Sequence, residues 1–204
     1  MKSRHHNVTW LALAAPTADG RIGSQSGRHF GLAKPVRRAW SHERSPTGKC
    51  DWLTPPEIIR ALGRFDLDPC APRRRPWPTA RCHYTVAEDG LRQAWFGRVW
   101  LNPPYGRQTA RWLARLAQHG NGVALIFART ETRMYFQYIW PVAQAVLFLR
   151  GRLTFYNADG SKPGNSGGAP SCLVAYGWDN VAALAASGLD GKLVLLSPNP
   201  REES

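Results

Sequence analysis

The chain reads as an α/β protein: an open, mostly parallel sheet with a C-terminal antiparallel hairpin. Continuous apolar runs of strand length, at residues 99–101, 123–127 and 146–149, alternate with stretches of helical period. Runs without polar alternation suit strands covered on both faces, as in parallel sheets flanked by helices. Two later runs, 153–156 and 172–176, are joined by the Gly-rich stretch from Gly160 to Pro170 and read as the hairpin.

Residues 1–49 are rich in Gly, Ser, Arg and His and lack clear periodicity. They read as a basic, partly flexible N-terminal extension with a short strand around residues 10–15, followed by one folded domain over 50–204. Arg37, Arg38 and Arg44 flank Trp40, a mixture suited either to a nucleic acid strand or to a solvated tail. Thr54-Pro55-Pro56-Glu57 reads as a helix start, with Thr54 as cap, Pro55 in the first turn and Glu57 completing a capping box. Ile58, Ile59 and Leu62 recur at helical spacing, and Gly63 ends the helix. Phe65-Asp66-Leu67-Asp68 reads as a short strand stopped by Pro69, and residues 73–78 as a basic loop. A helix over 108–118 buries Trp112, Leu113 and Leu116; another spans 132–140 and stops at Pro141. A small helix over 181–187 and a last strand over 193–196 complete the chain.

Composition bounds the function. Hydrophobic residues make up 43% of 204, enough to bury a sizeable core. The net charge is +13, from 27 Lys and Arg against 14 Asp and Glu, which favours a polyanionic partner. Cys50, Cys70, Cys82 and Cys172 match no paired zinc-ligand spacing, so reduced thiols, no structural metal and a cytosolic compartment are expected. No stretch reaches membrane-span length, and the apolar residues 11–15 are too few for a signal peptide core. No Gly-x-Gly-x-x-Gly fingerprint is present, which disfavours a nicotinamide cofactor.

Asn102-Pro103-Pro104-Tyr105 carries the chemistry. It follows the apolar run 99–101, where a loop leaving a buried strand would begin. An exocyclic amino group is a poor nucleophile because its lone pair is delocalised into the ring. The Asn102 side-chain oxygen and the Pro103 carbonyl can both accept from one such group. Two prolines stiffen the loop, and Tyr105 offers a flat face for an extruded base. Taken alone, the tetrapeptide is equally a Pro-Pro turn beside an aromatic. Asp68-Pro69-Cys70-Ala71 ends the first core strand, where open α/β sheets bind ligands. An acid there can accept from a cationic amino group such as that of S-adenosylmethionine, or simply end the strand in a turn.

These residues resemble a known family. Asp51-Trp52-Leu53-Thr54-Pro55, Asp68-Pro69-Cys70-Ala71, Glu88-Asp89-Gly90-Leu91 with Trp95, Leu101-Asn102-Pro103-Pro104-Tyr105, and the segment from Phe148 to Phe155 are similar, in order and spacing, to the phage-type DNA N6-adenine methyltransferase (Dam) family. The resemblance covers about residues 50–178. It implies a Rossmann-like, S-adenosylmethionine-dependent methyltransferase fold acting on DNA in the cytoplasm of a bacterial host. It also implies that Trp52, Thr54 and Pro55 lie against the cofactor, that Asp68, Pro69, Cys70 and Ala71 form its methionine-end pocket, and that Asp89 accepts from its adenine amino group. Asn102, Pro103, Pro104 and Tyr105 would form the catalytic loop. Residues 73–83 supply no acid for a cofactor ribose, and no separate target-recognition domain remains. Arg107, Arg129, Arg150 and Arg152, with Arg111, sit near strand ends or the loop and suit DNA contacts or plain surface solubility. Asn before Pro-Pro leans, by resemblance, toward adenine N6 over cytosine N4. Other readings are methylation of RNA or of a protein amide, and a non-catalytic DNA-binding or anti-restriction protein that retains the fold.

Overall fold

A computed structural model describes residues 52–163 and 168–196. The expected extension over 1–49, its strand near residues 10–15, the arginines around Trp40, and Cys50 and Asp51 lie outside the described residues. The elements run β1 (Trp52–Leu53), α1 (Pro56–Leu62), β2 (Leu67–Asp68), β3 (Cys82–His83), β4 (Val99–Leu101), α2 (Thr109–His119) and β5 (Gly122–Phe127), then α3 (Arg133–Tyr138), β6 (Ala145–Leu149), β7 (Tyr156–Asn157), β8 (Ser171–Tyr176), α4 (Trp178–Ala186) and β9 (Gly191–Leu195).

The main sheet has seven strands in the order β3-β2-β4-β5-β8-β6-β9. β3, β2, β4 and β5 are mutually parallel. β8 runs antiparallel between β5 and β6, and β9 pairs antiparallel with β6. β6 therefore points the same way as β5, and the ends of β2, β4, β5 and β6 share one edge of the sheet. The sheet is mixed, with as many antiparallel as parallel pairings.

The expected hairpin does not form. β7 leaves the main sheet and pairs with β1, Leu53 opposite Tyr156 and Trp52 opposite Asn157. β8 goes instead to the sheet interior, where all six of its residues are buried. An apolar strand of that length needs cover on both faces and both edges, which two residues of β7 cannot supply.

Alternation along the strands divides two cores. Val99, Leu101, Ala124, Ile126, Val146, Cys172 and Val174 face α2 and α3, packing on Leu113, Leu116, Tyr135 and Ile139. Trp100, Val123, Leu125, Ala145, Leu147, Leu173 and Ala175 face α1 and α4, packing on Ile58, Leu62, Val181 and Leu184. The period of two places neighbours on opposite faces, and both faces are apolar because both are covered. Among the described residues no helix is long and apolar enough to cross a membrane.

α1 ends as expected at Gly63, whose φ of 83° suits glycine. Its start differs from expectation: Pro55 is the N-cap, no side chain caps it, and the Thr54 hydroxyl meets Asn102 instead. At the opposite edge of the sheet from the strand ends, Arg98 donates to Asn180 Oδ1 at 2.7 Å and to the Leu62 and Arg64 carbonyls, with its guanidinium over the Phe65 ring. Asn180 is fully buried and donates to Asn121 Oδ1 and the Tyr176 carbonyl. Asn180→Ala strands these partners and should cost about 2–4 kcal/mol of unfolding free energy in urea titrations; a loss below about 0.5 kcal/mol would contradict this role.

Candidate active site

The loops leaving β1, β2, β3 and β4 enclose a pocket of about 540 Å³. Pockets for small organic ligands typically have volumes of about 300–1,000 Å³. Trp52, Thr54, Asp68, Pro69, Cys70, Ala71 and Asp89 line it, together with Asn102, Pro103, Pro104 and Tyr105. Residues 50 positions apart in sequence thus meet on one wall. Pro55 is buried but does not line it. Arg73, Arg75, Trp77, Thr79, Thr85 and Trp100 also contribute, none of them expected there. The basic loop over 73–78 was visible in the sequence. What brings it to the pocket is β3, a two-residue strand with no periodic signal.

The Asn102 loop is tied on several sides. Asn102 Nδ2 donates to the Trp52 carbonyl and to Thr54 Oγ1, both at 3.2 Å. Cys70 Sγ donates to the Asn102 main-chain carbonyl at 3.2 Å. Thr109, at the start of α2, donates its hydroxyl to the Pro104 carbonyl at 2.8 Å. Asn102 Oδ1 is buried and meets no donor among the described residues. The Trp100 indole N–H and the Tyr105 hydroxyl are likewise buried without partners. Orphaned polar atoms of this kind are few in native proteins and need an explanation. Here three of them sit on residues lining the same pocket.

Tyr105 is placed differently from a fully open stacking platform. Its ring stacks on Phe127, with centroids 4.1 Å apart and 21° between planes, and meets Phe155 edge-on. One face is therefore already covered by protein. Burial raises the hydroxyl's pKa well above the usual tyrosine range, so it stays protonated.

Asp68 is 3% exposed. Its Oδ1 accepts from the Cys70 main-chain N–H at 3.1 Å and its Oδ2 from the Thr79 hydroxyl. Burial pushes its pKa up to about 6, against the lowering pull of those hydrogen bonds and of Arg75. Burial and the neighbouring Asp68 charge push the Cys70 thiol up, which keeps it a donor to Asn102. Burial and Arg75 bring His83 down to about 4, so the ring is neutral, and its Nε2 accepts from the Ala80 N–H. Asp89 is exposed, holds a φ of 53° and pairs with Arg92 at 3.3 Å. Its neighbour Gly90 packs so tightly that a Cβ there would lie 1.9 Å from the Pro69 carbonyl oxygen, an approach that brings the Asp89 loop onto the pocket.

Arg107, Arg129, Arg150 and Arg152 do not line the pocket. They leave β4, β5 and β6 on the same edge of the sheet, with Arg107, Arg150 and Arg152 exposed and Arg129 half-buried. Arg150 also pairs with Asp190 at 3.3 Å. Cys70, Cys82 and Cys172 are free thiols, and among the described residues no three His, Cys, Asp or Glu side chains gather as a metal site.

The Asp68 carboxyl titrates near 3.8 in an unstructured chain and near 6 in the folded protein. Between these values the folded protein keeps a proton that the unfolded chain has released. Stability therefore falls as pH rises from about 4 to about 6 and is level above. Compared with Asp68→Asn, the wild-type protein should lose on the order of 2–3 kcal/mol across that window. Urea unfolding at a series of pH values measures it, and a pH-independent difference would contradict a buried carboxyl at this position.

The family model described as DNA N-6-adenine-methyltransferase (Dam) matches residues 42–182, a span that contains every residue lining the pocket. No curated protein and no solved structure matches the chain significantly. The match runs over more than half of the sequence and takes in the Asn-Pro-Pro-Tyr loop, the buried Asp68 turn and the strand that ties them together: this chain belongs to the DNA N-6-adenine-methyltransferase (Dam) family.

Proposed function

We propose that this protein is a DNA methyltransferase with a Rossmann-like sheet that moves a methyl group from S-adenosylmethionine to the N6 amino group of adenine in DNA. The observation that carries this reading is Asn102 Oδ1, a buried acceptor without a donor on a residue that lines a ligand-sized pocket. Asn102 Oδ1 and the Pro103 carbonyl accept the two hydrogens of the target amino group. Held this way, the nitrogen is drawn toward tetrahedral geometry and its lone pair is localised and aimed. Asn102 cannot act as a base, and none is needed if the proton leaves after the nitrogen has been alkylated.

S-adenosylmethionine, when bound, supplies a methyl group already activated on a sulfonium. The lining suits such a cation. Trp52 and Trp77 offer aromatic faces to a flat heterocycle or a positive centre. Asp68 and Asp89 offer carboxylates, and Arg73 and Arg75 suit a ligand carboxylate. We assign Trp52, Thr54, Asp68, Pro69, Cys70, Ala71 and Asp89 to cofactor binding, with Pro55, buried and off the pocket lining, next to Thr54 in the chain. Tyr105 presents to an extruded base whatever part of its ring Phe127 leaves uncovered. The net charge of +13 and the arginines at the strand-end edge support a nucleic acid partner.

Asn102→Ala should reduce methyl transfer by on the order of 10²–10³-fold, as loss of a preorganised polar group at the reacting atom does elsewhere. Binding of the cofactor analogue sinefungin, followed by calorimetry, should be retained. Transfer of labelled methyl groups should be offered DNA, RNA and protein in parallel. Label entering RNA or protein in preference to DNA would overturn the substrate assignment, and undiminished transfer by Asn102→Ala would overturn the site. DNA affinity should also fall steeply as salt rises, because Lys and Arg contacts to phosphate release counterions. A salt-independent affinity would contradict the role given to the positive charge.

A further inference from the structure

An asparagine amide has two ends of nearly equal size, and only one of them accepts. A loop that works through the oxygen must keep the nitrogen turned away, because a 180° rotation of the amide leaves its shape unchanged and reverses its chemistry. A carboxylate at the same place would have no such problem, since its two oxygens are equivalent. The structure contains a device that sets the sense. The Trp52 carbonyl, 3.2 Å from Asn102 Nδ2, is an acceptor only, so a rotated amide would put oxygen against oxygen. Thr54 Oγ1 receives the same nitrogen at 3.2 Å; a hydroxyl can also donate to an oxygen, so the carbonyl sets the sense and Thr54 adds a second hold on the nitrogen. Thr54 is 2% exposed.

From these contacts we infer that Thr54 is a positioning residue: it holds the Asn102 amide firmly in the sense that the Trp52 carbonyl sets, with the oxygen offered to the substrate. This rests on the reading of Asn102 Oδ1 as the acceptor for the target amino group. The main chain of Asn102 is held separately by the Cys70 thiol, so amide rotation is the freedom that remains to be fixed. Thr54 and Trp52 are themselves braced. The Trp77 indole N–H donates to the Thr54 carbonyl at 3.1 Å, and Trp77 meets Tyr156 edge-on at 5.2 Å. Tyr156 pairs with Leu53 in the two-stranded β1–β7 sheet. That small sheet, remote in sequence from the Asn102 loop, thereby holds the orientation of its leading side chain. The Thr54 hydroxyl is engaged with Asn102, and the cap position of α1 is taken by Pro55.

The test compares Thr54→Val, which keeps the shape and removes the hydroxyl, with Thr54→Ser, which keeps the hydroxyl. The side-chain amide of Asn102, assigned in a ¹⁵N spectrum by its loss in Asn102→Ala, reports how firmly its nitrogen is held. Thr54→Val should speed hydrogen exchange of that amide by roughly three- to tenfold, and Thr54→Ser should restore it. With DNA as substrate and the cofactor saturating, Thr54→Val should lower kcat by a similar factor while KM for DNA changes less than about twofold, and Thr54→Ser should recover kcat. Unchanged Asn102 amide signals in Thr54→Val would overturn the inference, as would an unchanged kcat with the cofactor saturating. If the wild-type protein transfers no methyl group to DNA yet the amide responds as expected, the orientation stands and the proposed reaction falls.

Discussion

One side chain held in one sense organises this site. Asn102 gives its nitrogen to the Trp52 carbonyl and the Thr54 hydroxyl and its main-chain oxygen to the Cys70 thiol, which leaves its side-chain oxygen buried and without a donor. Burying an unpaired acceptor costs roughly 1–3 kcal/mol. The surrounding structure over-determines the arrangement: two prolines restrict the loop, the first turn of α2 captures the Pro104 carbonyl, and Tyr105 is stacked on Phe127. Polar groups left unsatisfied under such constraint suit a site that must recognise a polar ligand rather than one that only has to be stable.

The fold explains how distant segments reach this point. Parallel β2, β3 and β4 end on the same edge, so the turns at Asp68, Tyr84 and Asn102 are neighbours by construction. β1 lies outside that sheet and is brought in by β7. The stabilising polar network around Arg98 and Asn180 lies at the other edge, near the strand starts. One edge thus carries the pocket and the other the buried polar network. The carboxyl of Asp68 bridges them in character: it is tied to Thr79 and Cys70 as a structural acid would be, yet it lines the pocket and carries a raised pKa of about 6.

Much of the fold could be read in the chain because strand and helix periods are strong where burial is complete. The apolar runs that become β4, β5, β6 and β8 and the amphipathic face of Trp112, Leu113 and Leu116 were visible for that reason. β1 and β3 were not, since each has two residues and no period to detect; the run 153–156 was legible as a strand, but not the pairing of its end with β1. Missing them had consequences. β8 was paired with the segment that became β7, and the basic loop carrying Arg73, Arg75 and Trp77 was not connected to the pocket. Thr54 shows a different limit. Its sequence context is that of a helix cap, and only the tertiary fold reveals a competing partner, the Asn102 amide 48 positions away. The Asn-Pro-Pro-Tyr tetrapeptide pointed to the wall of the pocket, whereas the packing of Tyr105 on Phe127 depended on where β5 ends.

Membership of the Dam family and the unpaired Asn102 Oδ1 both bear on the proposed reaction, in which that oxygen accepts from a planar amino group. The measurement that meets this most directly is nucleoside analysis, by mass spectrometry, of DNA from a methylation-free bacterial host expressing the protein. The account predicts that N6-methyldeoxyadenosine appears with the wild-type chain and is absent with Asn102→Ala. N4-methylcytosine in its place, or no modified nucleoside from a folded protein that binds the cofactor, would contradict it.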